Sequence, residues 1–250
     1  MNNKFILPTL LALLLNFSTH LVIAQGQVAT RLIRGSNFQI GVGYEYQRMD
    51  FENLNSSLTS SGFPELSESV HSVSFLTQNI SDNWVIGLRT TYAITNEVKF
   101  DRKEINYRNN KYSLELAYNL LSSDKAVLLP SVAATLGRNV LLIKDMDATQ
   151  QNFQNLLQNP SQEADLRNYS YLADLGLAYH YQFYRREHNR ETGKSSSWIP
   201  VIFKAGYLLE LGSSDFKFNG EEIAGVPEVS LGGFYASIHI GLGTRLLPLN

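Results

Sequence analysis

The chain has no cysteine among its 250 residues, which excludes disulfides, thiolate metal sites and acylation of the lipoprotein kind. It has no surplus of positive charge. Its 21 Lys and Arg stand against 23 Asp and Glu, a formal net charge of −2, so nothing is available to neutralise a phosphate backbone and nucleic acid is not an expected partner. After residue 25 it has no run of 18 uncharged apolar residues, so no transmembrane helix is expected. That absence does not exclude a membrane, because strands of a barrel hide their apolar surface in alternation. No His-x-x-x-His, acidic ligand cluster or glycine-rich phosphate loop is present, so no metal and no cofactor is expected. What remains is 44% hydrophobic and 18% charged, the composition of neither a disordered chain nor an ordinary helical membrane protein.

Residues 1–24 read as a secretory signal. Lys4 supplies the positive start, Phe5 to Leu15 an apolar stretch too short to anchor a helix, and Val22-Ile23-Ala24 a cleavage site before Gln25. Residues 25–250 are then expected to form one domain.

From residue 37 onward, period-two alternation dominates. On 37–50, Phe38, Ile40, Val42, Tyr44 and Tyr46 oppose Gln39, Gly41, Gly43, Glu45 and Gln47, the pattern of a strand between two unlike environments. The same pattern recurs over 69–79, 84–96, 110–121, 126–143, 168–185, 198–211 and 230–246, predicting eight strands. Turn-forming Ser, Asp and Asn give short connections at 80–83 and 122–125, and residues 186–197 are polar and moderately short. The intervening connections, 51–68, 97–109, 144–167 and 212–229, are long. Short turns at one end and long loops at the other, with an even strand number, place both termini and the short turns in the periplasm.

The aromatics sort by this division. Trp84, Tyr118, Tyr181 and Trp198 are expected at the short-turn interface, and Tyr171 and Tyr207 at the long-loop interface. Tyr171 and Tyr181 are ten residues apart on one face, about 25 Å at a ~40° tilt, the height of an apolar band. The second face carries Gly41, Gly43, Gly87, Gly137, Gly176, Gly206, Gly241 and Gly243 among Ser and Ala. Small residues suit a narrow interior, so the bulky apolar face is expected to meet lipid. The same parity places Glu45, Arg89, Glu115, Asp174, His180, Lys204, Glu210 and His239 in the lumen, with Arg89 and Glu115 able to pair across neighbouring strands. Pro130 and Pro200 conflict with continuous strands in an edgeless barrel, and a ten-stranded variant using 28–36 and a divided 126–144 is the competing topology.

On this pattern the chain resembles the small outer-membrane β-barrels of Gram-negative bacteria, the eight-stranded OmpA-like and porin-like barrels. The likeness implies an all-β, antiparallel up-and-down transmembrane barrel in the bacterial outer membrane. Its implied partners are outer-membrane lipid, lipopolysaccharide and the barrel-assembly machinery during biogenesis. One departure is the ending Leu246-Leu247-Pro248-Leu249-Asn250, where many such barrels finish on an aromatic residue. Catalysis is not expected: His71 and Ser72 point to opposite faces, and His180 and His239 lie on strands that are not neighbours. Two roles stay open at this point. One is a structural, adhesive or surface-interaction barrel acting through its long loops, where an amphipathic helix expected over 147–159, with Phe153, Leu156 and Leu157, caps the barrel mouth or else contacts lipopolysaccharide or an extracellular partner. The other is a narrow porin-like channel for small solutes.

Overall fold

Alternating bulky and small residues give strands with unlike faces, and a computed structural model shows how those faces are used. It describes residues 37–81, 83–94, 96–100, 103–123, 125–145, 163–190, 193–223, 225–227 and 229–246. Among these, eight long strands run β1 (Asn37–Arg48), β2 (Ser69–Ser81), β3 (Trp84–Ala93), β4 (Lys103–Tyr118), β5 (Ala126–Asp145), β6 (Glu163–Arg190), β7 (Gly193–Ser213) and β8 (Gly233–Leu246). Each pairs antiparallel with the next, and β8 pairs with β1, so the sheet closes on itself. Closure satisfies every edge within the wall, which a sheet in hydrocarbon requires. β5 is undivided and β1 is paired on both sides, which rules out the ten-stranded arrangement. Residues 1–24, read as the signal, lie outside the described residues.

Both prolines sit where a ladder is interrupted. Pro130 faces Leu177 of β6, but the β4 ladder ends at Ser131 and a short strand at Leu121–Ser122 resumes only at Leu128. Pro200 faces Gln182 at a β-bulge, and the β8 ladder skips from Val201 to Trp198. A missing N–H costs little at such gaps.

The connections differ from expectation in three ways. The 186–197 segment continues the β6–β7 ladder to Arg190 opposite Gly193. Residues 97–109 hold a short strand, Asn96–Phe100, paired to an extended β4. Residues 212–229 include the two-residue hairpin Lys217–Phe218 with Glu221–Glu222, turned by Asn219 (φ 51°) and Gly220 (φ 91°), the positive-φ pair such a turn needs. The helix expected over 147–159 falls outside the described residues.

A helix does form in the first long connection, α1 (Glu52–Ser60). Asp50 accepts the Glu52 N–H at 2.9 Å, and Glu52 puts negative charge in the first turn. Gly62, at φ 74°, ends it: its N–H bonds Thr59 O at 3.0 Å while Phe63 N–H bonds Leu58 O at 2.8 Å, a Schellman arrangement. Leu54 and Leu58, one turn apart, are buried against Met49, Phe51, Leu66, Ile105, Tyr107, Leu141, Leu166 and Leu231. These residues come from the long-loop ends of the strands, so α1 folds over the extracellular mouth as an apolar cap. Asn55 clamps it by exchanging two hydrogen bonds with the Leu66 backbone. Leu58→Ala should cost the cap about 2–5 kcal/mol while leaving the wall intact. The expected result is faster protease cleavage within 51–66 on sealed vesicles, with unchanged heat-modifiable gel migration.

Candidate functional site

The outer wall is apolar and the inner wall polar, the reverse of a soluble protein. Ile86 and Leu88 are 58% and 59% exposed, whereas Val85 and Arg89, on the opposite face of the same strand, are 0% and 3% exposed. Phe38, Ile40, Phe75, Leu114, Leu116, Val132, Leu175, Phe203 and Ile240 continue the outward band around the barrel. Trp84 and Tyr118, edge to face at 5.0 Å, mark its lower rim; Tyr92, Tyr112 and Tyr171 mark its upper rim. Tyr207 packs on Phe234 at the same upper end, and Tyr181 is half-buried near the lower one.

Trp198 does not belong to the belt, contrary to the expectation from its place beside a turn. It is 5% exposed and faces the lumen with Ile202 and Lys204, the even-numbered side of β7. Gly243 opposite it leaves the space its indole occupies, where any Cβ would clash.

Inside, charged side chains from five strands meet, joined by a tyrosine from a sixth. Glu45 (β1) accepts Lys111 Nζ (β4) at 2.5 Å and an Arg89 nitrogen (β3) at 3.2 Å. The other Arg89 nitrogen donates to Asp174 (β6), which also accepts the Tyr235 hydroxyl (β8) at 2.7 Å. Lys204 (β7) donates to Glu115 (β4) and lies 3.7 Å from Asp174. Arg89 sits over the Tyr235 ring, 5.0 Å from its centroid. Three cations face three carboxylates, so this layer is neutral and each charge is held by hydrogen bonds. Gly176 and Gly206 make the room: a Cβ on Gly176 would stand 2.7 Å from Lys204 Cε, and one on Gly206 would stand 2.7 Å from Tyr235 Oη.

The direct Arg89–Glu115 pair expected from the sequence does not form. Register sets Gly87 opposite Glu115 and Ser113 opposite Arg89, and the long guanidinium crosses the lumen to Glu45 and Asp174. His239 bonds Ser74 at 2.7 Å, and Gln39 donates to His180 Nδ1 at 3.2 Å, so the two histidines take structural bonds on separate strands. Glu210 stands apart, half-buried at the rim, accepting the Leu231 N–H at 2.9 Å. Lys111 and Tyr235 were not singled out from the sequence, although each lies on the lumen parity of its strand, while Gln47, read on the inner face of β1, accepts Lys111 Nζ at 2.6 Å and donates to Leu231 O at 2.7 Å. Above the network, Tyr107, Asn109, Asn139 and Asn168 form an amide ladder beneath the cap. Below it, Leu76, Val85, Ala117, Leu129, Ala178 and Ile202 form an apolar floor. His71 lies outside, bonded to the Tyr44 hydroxyl and facing away from Ser72. Among the described residues no group of three His, Asp or Glu side chains could hold a metal ion.

A closed antiparallel barrel with a lipid-facing band, two aromatic rims and a polar interior defines the class: an eight-stranded transmembrane β-barrel of the bacterial outer membrane. No family model and no curated protein matches the sequence. Solved structures that align with it are also barrels. Ail, the attachment invasion locus protein of Yersinia pestis, covers 85% of this chain and 99% of its own at 11% identity and a TM-score of 0.41. Neisserial surface protein A covers 84% of this chain and 96% of its own, at 9% and 0.36. A major outer membrane protein from Thermus thermophilus covers 84% and 98%, at 10% and 0.39.

Asp174 joins two cations and a phenol. Asp174→Ala should lower unfolding free energy by about 3–5 kcal/mol, because it strands buried charge. Glu210→Gln keeps an acceptor for Leu231 and should change it by less than about 1 kcal/mol. Urea titration of tryptophan fluorescence in vesicles reads both.

Proposed function

We propose that this barrel is a closed, non-catalytic scaffold whose work is done at the cell surface by the structure its long loops build. The observation that carries the reading is the stacking of three layers across the lumen. The apolar cap with α1 lies over the neutral ion network, which lies over the apolar floor. A solute path would have to part a salt-bridge network in which Arg89, Lys111 and Lys204 are all 6% exposed or less. An eight-stranded interior is about filled by its own side chains, which agrees with a plug and disfavours the narrow channel. Ser74 meets His239 Nε2, but among the described residues the buried His239 Nδ1 has no hydrogen-bond partner to orient the ring, which supports a role without catalysis.

The surface offered outward has two parts. The polar face of α1 presents Glu52, Asn53, Ser56 and Ser57 above the mouth. Strands β4, β5 and β6 rise past the upper aromatic rim, flanked by Asn96–Phe100 and the Lys217–Glu222 hairpin. An adhesive or receptor role would use these rigid, cap-supported elements, with lipopolysaccharide packed around them in the outer leaflet. The barrel-assembly machinery is the partner proposed for insertion.

In planar bilayers the refolded barrel is expected to give no stable conductance steps at any applied voltage within the range the bilayer tolerates. Persistent open channels of uniform size would overturn the scaffold reading and restore the solute channel.

A further inference from the structure

The upper rim is not uniform around its circumference. Cross-strand register puts Tyr92, Asn110, Arg138 and Tyr169 in one row on the outer face of β3 to β6. The row below holds Tyr112, Leu136 and Tyr171, all exposed to lipid. The row above holds Arg108, Val140 and Arg167, with Lys217 beside Arg167. Neighbouring strands lie ~4.8 Å apart, so Arg108 and Arg167 stand about 10 Å from each other, with Arg138 two residues lower between them. Arg138 therefore sits inside the aromatic rim itself, flanked in its row by Asn110 and Tyr169. Away from this sector, on β1, Arg48 is bonded to Glu68 at 2.8 Å.

Charge in the sector is only partly paired. Arg167 is bonded to Asp165 on its own strand, whose carboxylate also feels the charges of Arg138 and Arg108 at longer range, and Lys99 is held by Glu97 and Glu104. Among the described residues Arg108 and Arg138 form no ion pair, and the half-buried Arg138 has an Nε with no hydrogen-bond partner. That Nε is itself buried, so an anion arriving from the lipid side would meet the outer end of the guanidinium, and a charge at the edge of the apolar band without a carboxylate at ion-pair distance is stabilised by such an anion.

We infer that Arg108, Arg138 and Arg167, on the outer face of β4–β6, form a binding site for the phosphate groups of an outer-leaflet lipid, with its acyl chains lying on the Tyr112–Leu136–Tyr171 row. Arginine forks match phosphate oxygens two at a time, and the Tyr92 and Tyr169 hydroxyls are placed to add neutral donors. The position selects an amphiphile over a soluble anion, because one of the three cations lies within the lipid-facing rim. The inference deepens the lipopolysaccharide contact of the scaffold reading, and it stands or falls separately from whether the lumen conducts.

The test is binding of purified lipopolysaccharide, of the same material after enzymatic dephosphorylation, and of inorganic phosphate to the detergent-solubilised full barrel, read by native mass spectrometry. The wild-type barrel is expected to retain phosphorylated lipid, and the triple variant R108Q/R138Q/R167Q to bind it at least roughly tenfold more weakly, since charge-assisted bonds are each worth that factor. R48Q should bind as wild type, and dephosphorylated lipid should match the triple variant. All variants are first checked for unchanged heat-modifiable migration; should the triple variant misfold, R138Q alone is compared, with a smaller loss expected. Equal retention by the folded arginine variant, equal retention of dephosphorylated lipid, or saturation by inorganic phosphate at the same concentration would each overturn the site. Conductance measured on the same samples reports the scaffold reading independently.

Discussion

The structure depends on one constraint: charge placed inside an eight-stranded barrel must be neutralised where it stands. The lumen is too narrow for bulk water, and an isolated ion there costs several kcal/mol. Asp174 resolves this for two strands at once. It takes one Arg89 nitrogen from β3, lies 3.7 Å from Lys204 of β7 and accepts the Tyr235 hydroxyl from β8. Glu45 does the same for Arg89 and Lys111. The network thereby ties opposite walls together, which ladder hydrogen bonds alone cannot do, since those join only neighbours.

Other features follow from making room for these groups. Gly176 and Gly206 lie where Lys204 and Tyr235 cross, and Gly43 lies against the His239 ring. At the β1–β8 seam Gly41 faces Gly241, so the two backbones approach with no side chain between them. The cap repeats the logic with apolar groups. Once the interior is filled by ion pairs, the mouth is finished by Leu54, Leu58 and Leu231, and the loops gain a rigid base on which to present polar residues outward. The outer face is free to specialise, and it does so by sector: lipid-facing tyrosines stand on many strands, whereas three arginines gather on β4 to β6.

Much of this was legible residue by residue. Parity alone placed Glu45, Arg89, Glu115, Asp174, His180, Lys204 and His239 on the inner face, where they lie buried. The same parity applied evenly would have moved Trp198 inside and added Lys111 and Tyr235; proximity to a turn was the weaker guide for the tryptophan. The Leu54–Leu58 spacing followed by Gly62 was a readable helix with a glycine stop. The pairing of charges was not readable. Arg89 and Glu115 are on adjacent strands, yet sequence holds no record of the two-residue offset between them, and a long side chain chooses partners across the lumen.

Sequence by itself determined the closed, lipid-facing barrel, because a strict two-residue period with bulky residues on one side and glycines on the other admits one way of hiding polar backbone in a membrane. Tertiary structure decided the rest: which carboxylate holds which cation, that α1 seals the mouth, and that three arginines from separate strands share one face. Those are relations between residues distant along the chain. They are set by register and closure, which arise only when all eight strands are assembled.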